Sequence, residues 1–274
     1  MPKIYVITGA TSGIGNAVIR KLSANNKIFA GYRNKDNIQQ ITEINNENIY
    51  PFYIDMNDCD SIESAAKYIC DSTDHIDTII NAAGSVVAGA VEDLNIDKIK
   101  QQFQVNTFSH LDFTKRLLPL LDNSKIINIS SMSSYGIFPF ISPYCASKRA
   151  LDILFNSLQI EYGNKIKIIS IKPGAVATPI WTKAINENEK LLTKHSKYKN
   201  EYNFLINNAK NNQKRSLNIE KVVDVILMAD RAKFPKSSYK VGYDAYFSSF
   251  LSIMPQDIIN NVVKLGLKLR LGNV

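Results

Sequence analysis

The 274-residue sequence contains no apolar run approaching the length of a membrane span. Its opening, MPKIYVITGA, lacks the charged head and long apolar stretch of a secretory leader and runs straight into a strand-like segment. These absences make the cytoplasm the expected location, with peripheral membrane contact left open. Cysteine is scarce: Cys59, Cys70 and Cys145 are scattered, odd in number and without metal-ligand spacing. That excludes a disulfide framework and suits a reducing compartment. No His/Cys/Asp cluster suggests a metal, and none is expected. There is no internal repeat, linker or low-complexity segment to support a second domain.

Charge is present but unevenly spread. The net formal charge is +8, of which residues 180–216 contribute +5 and residues 231–274 another +5, leaving the rest at −2. A basic excess confined to an insertion and a tail is not the footprint of a nucleic-acid-binding body. It fits an anionic ligand, an acidic partner or a membrane surface near those segments.

Short apolar runs rich in β-branched residues alternate with helical patterns along the chain. Strands are expected at 3–8, 27–32, 49–55, 77–84, 125–130 and 165–174, and helices at 59–70, 95–121 and 143–162. This alternation predicts a single-domain α/β fold, a doubly wound parallel sheet of about seven strands with helices on both faces, its site at the carboxyl ends of the strands. Between the first strand and its helix lies TGATSGIG, where Gly9, Gly13 and Gly15 allow a sharp turn and close approach of a pyrophosphate to the helix start. After the second strand comes Arg33, where an NAD-preferring site would carry an acid. A guanidinium there suits a 2′-phosphate and points to NADP(H), with NAD(H) possible. Asp55 ends the third strand, placed to accept from an adenine amino group.

Tyr144 and Lys148 are four residues apart, on one face of a helix, and Ser131 follows the fifth strand. A phenol flanked by an ammonium and a hydroxyl is suited to proton transfer. Asn106 falls inside the helix expected over 95–121, where asparagine is mildly unfavourable, so either its amide is used or it caps a buried polar gap. Cys145 reads as a small packing residue or a redox group. Val86, Val87, Ile137, Phe138, Phe140, Ile141 and Trp181 form an apolar set around the expected reacting carbon, which favours a hydrophobic substrate. Segment 180–216 is placed like a substrate lid, or is a solvated helical excursion. Residues 255–271 show amphipathic helical spacing, for packing on the body, on a partner subunit or on a membrane surface.

TGATSGIG at 8–15, NAAG at 81–84, Asn106, Ser131 and YCASK at 144–148 occur together in the order and spacing of the short-chain dehydrogenases/reductases, which the chain resembles closely over about residues 3–180. Ala82 stands where that family often has Asn, and the position of Arg33 varies within it. The resemblance implies an oxidoreductase with Tyr144 as acid/base, Lys148 lowering its pKa and holding the nicotinamide ribose, Ser131 positioning the substrate oxygen, and Asn106 supporting a proton-relay water. It assigns cofactor contacts to Thr8, Gly9, Thr11, Ser12, Gly13, Ile14, Gly15, Arg33, Asp55, Met56, Asn81, Ala82, Ala83, Gly84, Tyr144, Lys148, Pro173, Gly174, Val176 and Thr178. Ser131, Ile137, Phe138, Phe140 and Trp181 are expected at the substrate. GIFPFISPYCASK and the Val241–Gly242 pair look similar to hydroxysteroid and lipid-ketone reductases, implying a steroid-, retinoid- or lipid-like secondary alcohol or ketone. The resemblance also implies a homodimer or homotetramer paired through the helices at 95–121 and 143–162. The rival readings are a non-enzymatic NADP-binding sensor or scaffold, and a lipid reductase held at a membrane surface by its tail.

Overall fold

The computed structural model describes residues 2–11, 13–44, 47–176, 197–203, 206–207 and 217–271. Its strands are β1 (Ile4–Thr8), β2 (Lys27–Tyr32), β3 (Ile49–Tyr53), β4 (Thr78–Asn81), β5 (Ser124–Ile129), β6 (Ile166–Pro173) and β7 (Ser238–Val241). They form one parallel sheet in the order β3-β2-β1-β4-β5-β6-β7. The sheet is the doubly wound one the sequence leads one to expect. β3, one of its two edges, carries a proline at Pro51.

The helices are α1 (Gly13–Leu22), α2 (Gln39–Thr42), α3 (Cys59–Ser72), α4 (Ile96–Phe103), α5 (Ser109–Leu117), α6 (Ser142–Tyr162), α7 (Ile219–Arg231), α8 (Tyr243–Leu251) and α9 (Gln256–Leu271). Because successive strand residues point to opposite faces, strands that are apolar at both odd and even positions give the sheet two apolar faces. Val6, Phe29, Ile79, Ile126 and Ile168 pack with Ile62, Phe113 and Phe155 of α3, α5 and α6. Tyr5, Ile7, Ile28, Ile80, Ile127 and Ile169 pack with Val18 and Ile19 of α1 and Val222 and Ile226 of α7. Each such fully buried side chain contributes roughly 1.5–3 kcal/mol by leaving water. Local signals set the helix starts: Asp58, Asn95 and Asn218 accept from backbone N–H groups in the first turns of α3, α4 and α7.

The helix expected over 95–121 is not continuous. It comprises α4, a π-helical turn at Gln104–Phe108 and α5, which ends at Leu117 before a 3₁₀ turn at Leu118–Leu120 containing Pro119. A single widened turn inside an α-helix re-aims the side chains within it, and here it contains Asn106. The fourth strand, expected to break over Asn81–Gly84, ends at Asn81, where Ala82 N–H and Ala83 N–H turn to the Thr8 hydroxyl at 3.2 and 3.3 Å.

β1 sits where the winding direction reverses, with β2 on one side and β4 on the other. The crevice at the carboxyl ends of these strands is where open α/β sheets bind ligands. Among the described residues no helix is long and apolar enough to cross a membrane.

Candidate active site

A cavity of about 670 Å³ opens at this crevice. One end is lined by Arg33, Asn34, Asn37 and Gln40, and the middle by Gly9, Thr11, Gly13, Ile14 and Gly31. The inner end holds Ser131, Tyr144, Lys148, Pro173, Gly174 and Val176. Among the described residues its charged lining is all cationic: Arg33, Lys98 and Lys148.

The turn from β1 into α1 depends on glycine. Gly9 has φ of +67°, and a Cβ there would lie 2.9 Å from the Ala83 nitrogen; a Cβ on Gly15 would lie 2.3 Å from the Gly9 carbonyl oxygen. The turn is thus packed against both Ala83 and the helix it starts. Thr8 and Gly15 shape it from beneath and do not line the cavity, nor does Asn81, whose amide donates to Asn128 Oδ1 at 2.8 Å. Met56, Ala82, Ala83 and Gly84 do line it. The Asp55 carboxylate accepts from the Asn57 N–H at 2.9 Å, while its neighbours Ile54, Met56 and Asn57 face the cavity.

At the inner end, β5 delivers Ser131 as the cap of the short turn Met132–Tyr135, where its hydroxyl accepts from the Ser133 N–H at 3.0 Å. Pro143 opens α6, which presents Tyr144 and Lys148 one turn apart. Both are buried. Burial pushes the Tyr144 phenol up to about 12, against the opposing hydrogen bond with Ser131. Burial also lowers Lys148 to about 8, with Asp152 working in the other direction. Lys148 Nζ donates to the Ile129 carbonyl at 2.8 Å and stands 6.0 Å from the Tyr144 ring centre. The Ser131 hydrogen bond favours the phenolate, and the Lys148 ammonium acts on it only across that longer distance.

Asn106 lies fully buried behind these residues. Its Oδ1 accepts from the Ser85 N–H at 2.8 Å, and its Nδ2 donates to the Ser85 carbonyl at 2.9 Å and to Ser147 Oγ at 3.0 Å. Cys145 is buried and its thiol is pushed up to about 11 by desolvation, so it stays protonated beside Tyr144.

Of the apolar residues expected near the reacting carbon, Val86 packs against Tyr144 with Ile141 nearby, and Val86 and Val87 line the cavity. Ile137, Phe138 and Phe140 stand outside the lining. Ile137 is exposed, and Phe140, at φ of +67°, packs edge-on against Tyr198 and Tyr202. Ser12, Thr178 and Trp181 lie outside the described residues, as does most of segment 180–216.

Three contributors escaped the reading of the sequence. Gln102 is fully buried and joins Asn106 in holding the 85–87 backbone, accepting from Val87 N–H at 3.1 Å. Its signal was available: a polar residue one turn before Asn106 on the same helix. His110 is fully buried, hydrogen-bonds the Ala83 carbonyl through Nε2 at 2.9 Å, and is lowered to about 4 by burial and by Lys148. Asp244, from the first turn of α8, accepts from the Ala175 N–H at 2.8 Å and fills the space a side chain on Gly174 would need. Nothing in the sequence links Asp244 to a loop 70 residues earlier.

Residues 3–190 match the family model described as short chain dehydrogenase. The Bacillus subtilis (strain 168) protein named uncharacterized oxidoreductase YusZ is 30% identical over 275 residues, covering 96% of this chain and 97% of its own. The NADPH-dependent 3-dehydrocapnine reductase of Ornithobacterium rhinotracheale is 27% identical over 277 residues, 96% of each chain. Among solved structures, an alcohol dehydrogenase from the archaeon Thermococcus sibiricus, complexed with 5-hydroxy-NADP, superposes with a TM-score of 0.71 at 21% identity. That match spans 88% of this chain and 96% of the other, and the likeness is one of fold.

Proposed function

The chain belongs to the short-chain dehydrogenase/reductase family, an oxidoreductase family acting between CH–OH and C=O with a nicotinamide cofactor, and from that premise we propose that it reduces a hydrophobic ketone to a secondary alcohol with NADPH. The observation that carries the reading is the Tyr144 phenol, kept protonated by burial and hydrogen-bonded with Ser131 at the inner end of the cavity.

The residues fit a nicotinamide dinucleotide. The Gly9–Gly15 turn leaves a cradle that a Cβ would fill, and it leads into the amino end of α1, where backbone N–H groups favour a pyrophosphate. Arg33 is an exposed guanidinium with no ion pair among the described residues, at the end of the cavity where an adenosine 2′-phosphate would lie. Pro173, Gly174 and Val176 would flank the nicotinamide. The cofactor, when bound, supplies a hydride to the carbonyl carbon.

The chain's own groups supply the proton and the charge. Tyr144, an acid at neutral pH, gives its phenolic proton to the carbonyl oxygen as that oxygen gains electron density. Ser131 holds the same oxygen and eases the departure of the proton. Lys148 spends one donor on Ile129 and keeps others for the nicotinamide ribose hydroxyls. Asn106 has both amide hydrogens committed to Ser85 and Ser147, so support of a relay water would run through its main chain. A raised phenol favours reduction over oxidation, since a base role needs the phenolate.

Val86, Val87, Val105 and Val176 supply the apolar wall near Tyr144, which supports a hydrophobic ketone. The test is a panel of steroid, retinoid and acyl ketones read by NADPH absorbance, with Tyr144→Phe alongside. Loss of at least ~100-fold in turnover is expected for the variant. Wild-type rates in Tyr144→Phe would overturn the assignment.

Two exposed surfaces support further contacts. Phe108, Ile153 and Ile160 on the outer faces of the Gln104–Phe108 turn and α6 suit pairing of two copies. Tyr243, Tyr246, Phe247 and Phe250 on α8 and Ile258, Val262, Leu265 and Leu269 on α9 lie at helical spacing and are exposed. Lys240, Lys264 and Lys268 accompany them, an arrangement that suits an anionic membrane surface.

A further inference from the structure

Behind the Tyr144–Lys148 pair lies a buried string of charges that the reaction does not directly use. Asp152, one turn beyond Lys148 on α6, is buried, and its Oδ2 lies 2.7 Å from the ammonium of Lys172, itself buried on β6. The other oxygen, Oδ1, accepts from the Ser170 hydroxyl at 2.9 Å. Lys172 Nζ in turn stands 4.1 Å from the centre of the Tyr135 ring, and Tyr135 closes the short turn that Ser131 caps. Two residues beyond Lys172, Gly174 lines the cavity.

Three elements that carry the reacting groups therefore meet on one ion pair: α6 with Tyr144 and Lys148, the Ser131-capped turn, and the loop that begins at Pro173. Burial of two opposite charges is costly and weak evidence of stability, so an ion pair at this junction calls for a role beyond holding the fold. We propose that Asp152 and Lys172 are positioning residues, a buried counter-ion pair that sets how much positive potential Lys148 brings to Tyr144. This rests on Tyr144 acting as the acid.

The groups facing this string are few. Lys148 faces Tyr144, Asp152, the Ile129 carbonyl and the neutral His110 of α5. Asp152 faces Lys172, Ser170 and Lys148. Lys172 faces Asp152 and the Tyr135 ring, with Lys240, its register partner on β7, 5.9 Å from the centre of that ring. Removing the carboxylate leaves two ammoniums uncompensated, which lowers the pKa of both Lys148 and Tyr144. Removing the Lys172 ammonium leaves Asp152 to act on Lys148 and Tyr144 alone, which raises both.

The two single changes must therefore move the pH profile in opposite directions, which a merely structural role would not do. Ketone reduction with saturating NADPH is measured from pH 6 to 10 for wild type, Asp152→Asn, Lys172→Met and the double variant. The alkaline limb, which in this range follows loss of the Lys148 ammonium, is expected about one unit lower in Asp152→Asn, higher by a smaller step in Lys172→Met, and near wild type in the double variant. Limbs that stay in place, or move the same way in both single variants, overturn the proposal. If Asp152→Asn fails to accumulate, Lys172→Met decides alone, an unmoved or lowered limb being the adverse result. Tyr144→Phe in the same series separates the two ideas. Activity retained there removes the acid assignment, whereas activity lost there with unmoved limbs removes only the role of the ion pair.

Discussion

Gln102 and Asn106 converge on a single atom: both donate to the Ser85 carbonyl oxygen, at 3.3 and 2.9 Å, from either side of the start of the π-helical turn. Together they also take the N–H groups of Ser85 and Val87, so two fully buried amides fix the strand-end segment that walls the cavity beside Tyr144. Replacing Asn106 by Leu orphans buried donors and acceptors and is expected to cost about 1–3 kcal/mol of stability. Gln102→Leu should cost less, because Asn106 still holds Ser85. Chemical denaturation checks the order, and ketone reduction should fall in both variants even where the fold survives.

The cofactor end offers a separate test. Arg33→Ala is expected to raise the KM for NADPH by roughly 10- to 100-fold, since a charge-assisted contact to a phosphate is worth about 1.5–3 kcal/mol. The KM for NADH should move little. Steady-state kinetics with both cofactors measures it, and parallel changes in the two would remove Arg33 as the 2′-phosphate reader.

His110 makes stability depend on pH in a stated direction. Its folded pKa of about 4 lies below the ordinary imidazole value, so it is neutral when folded and takes up a proton on unfolding in mild acid. The contribution is fully present above about pH 6.5 and is lost as pH falls toward 4, on the order of 3 kcal/mol in all. The melting temperature of the wild type should therefore drop between pH 7.5 and 5 by more than that of His110→Gln. Equal drops would show that other groups govern acid sensitivity.

The tail is tested with vesicles. Wild type should sediment with vesicles containing phosphatidylserine, weakly with phosphatidylcholine alone, and less as salt is raised. Phe247→Ser with Phe250→Ser, and separately Lys264→Glu with Lys268→Glu, should each reduce binding while ketone reduction in free solution is kept. Binding indifferent to lipid charge and to both pairs of changes would leave the exposed stripes to protein partners.

Much of this molecule was legible in the chain because its signals are local. Six of the strands are short, largely apolar runs, and the glycines of the β1–α1 turn and the four-residue step from Tyr144 to Lys148 announce their geometry over a few residues. The short β7 and the helices α7 and α8 were not assigned in advance. β7 has only four residues with a half-polar face. What escaped at the site was contact made across long separations: Asp244 on the Gly174–Ala175 loop, His110 on Ala83, Asp152 on Lys172. These residues read as ordinary helix polars until the sheet brings their partners to them. The π-turn at Gln104–Phe108 was also hidden, because its apolar spacing differs by one residue from that of a plain helix.

Pro51 gives the sheet a terminus. A strand at an open edge invites another chain to pair with it, and a residue without an N–H in the middle of a five-residue strand denies that partner a regular ladder. Growth of the sheet past β3 is therefore disfavoured whatever the concentration of the protein, and copies that meet on that side must do so through side chains, as reversible neighbours rather than as a shared, extending sheet.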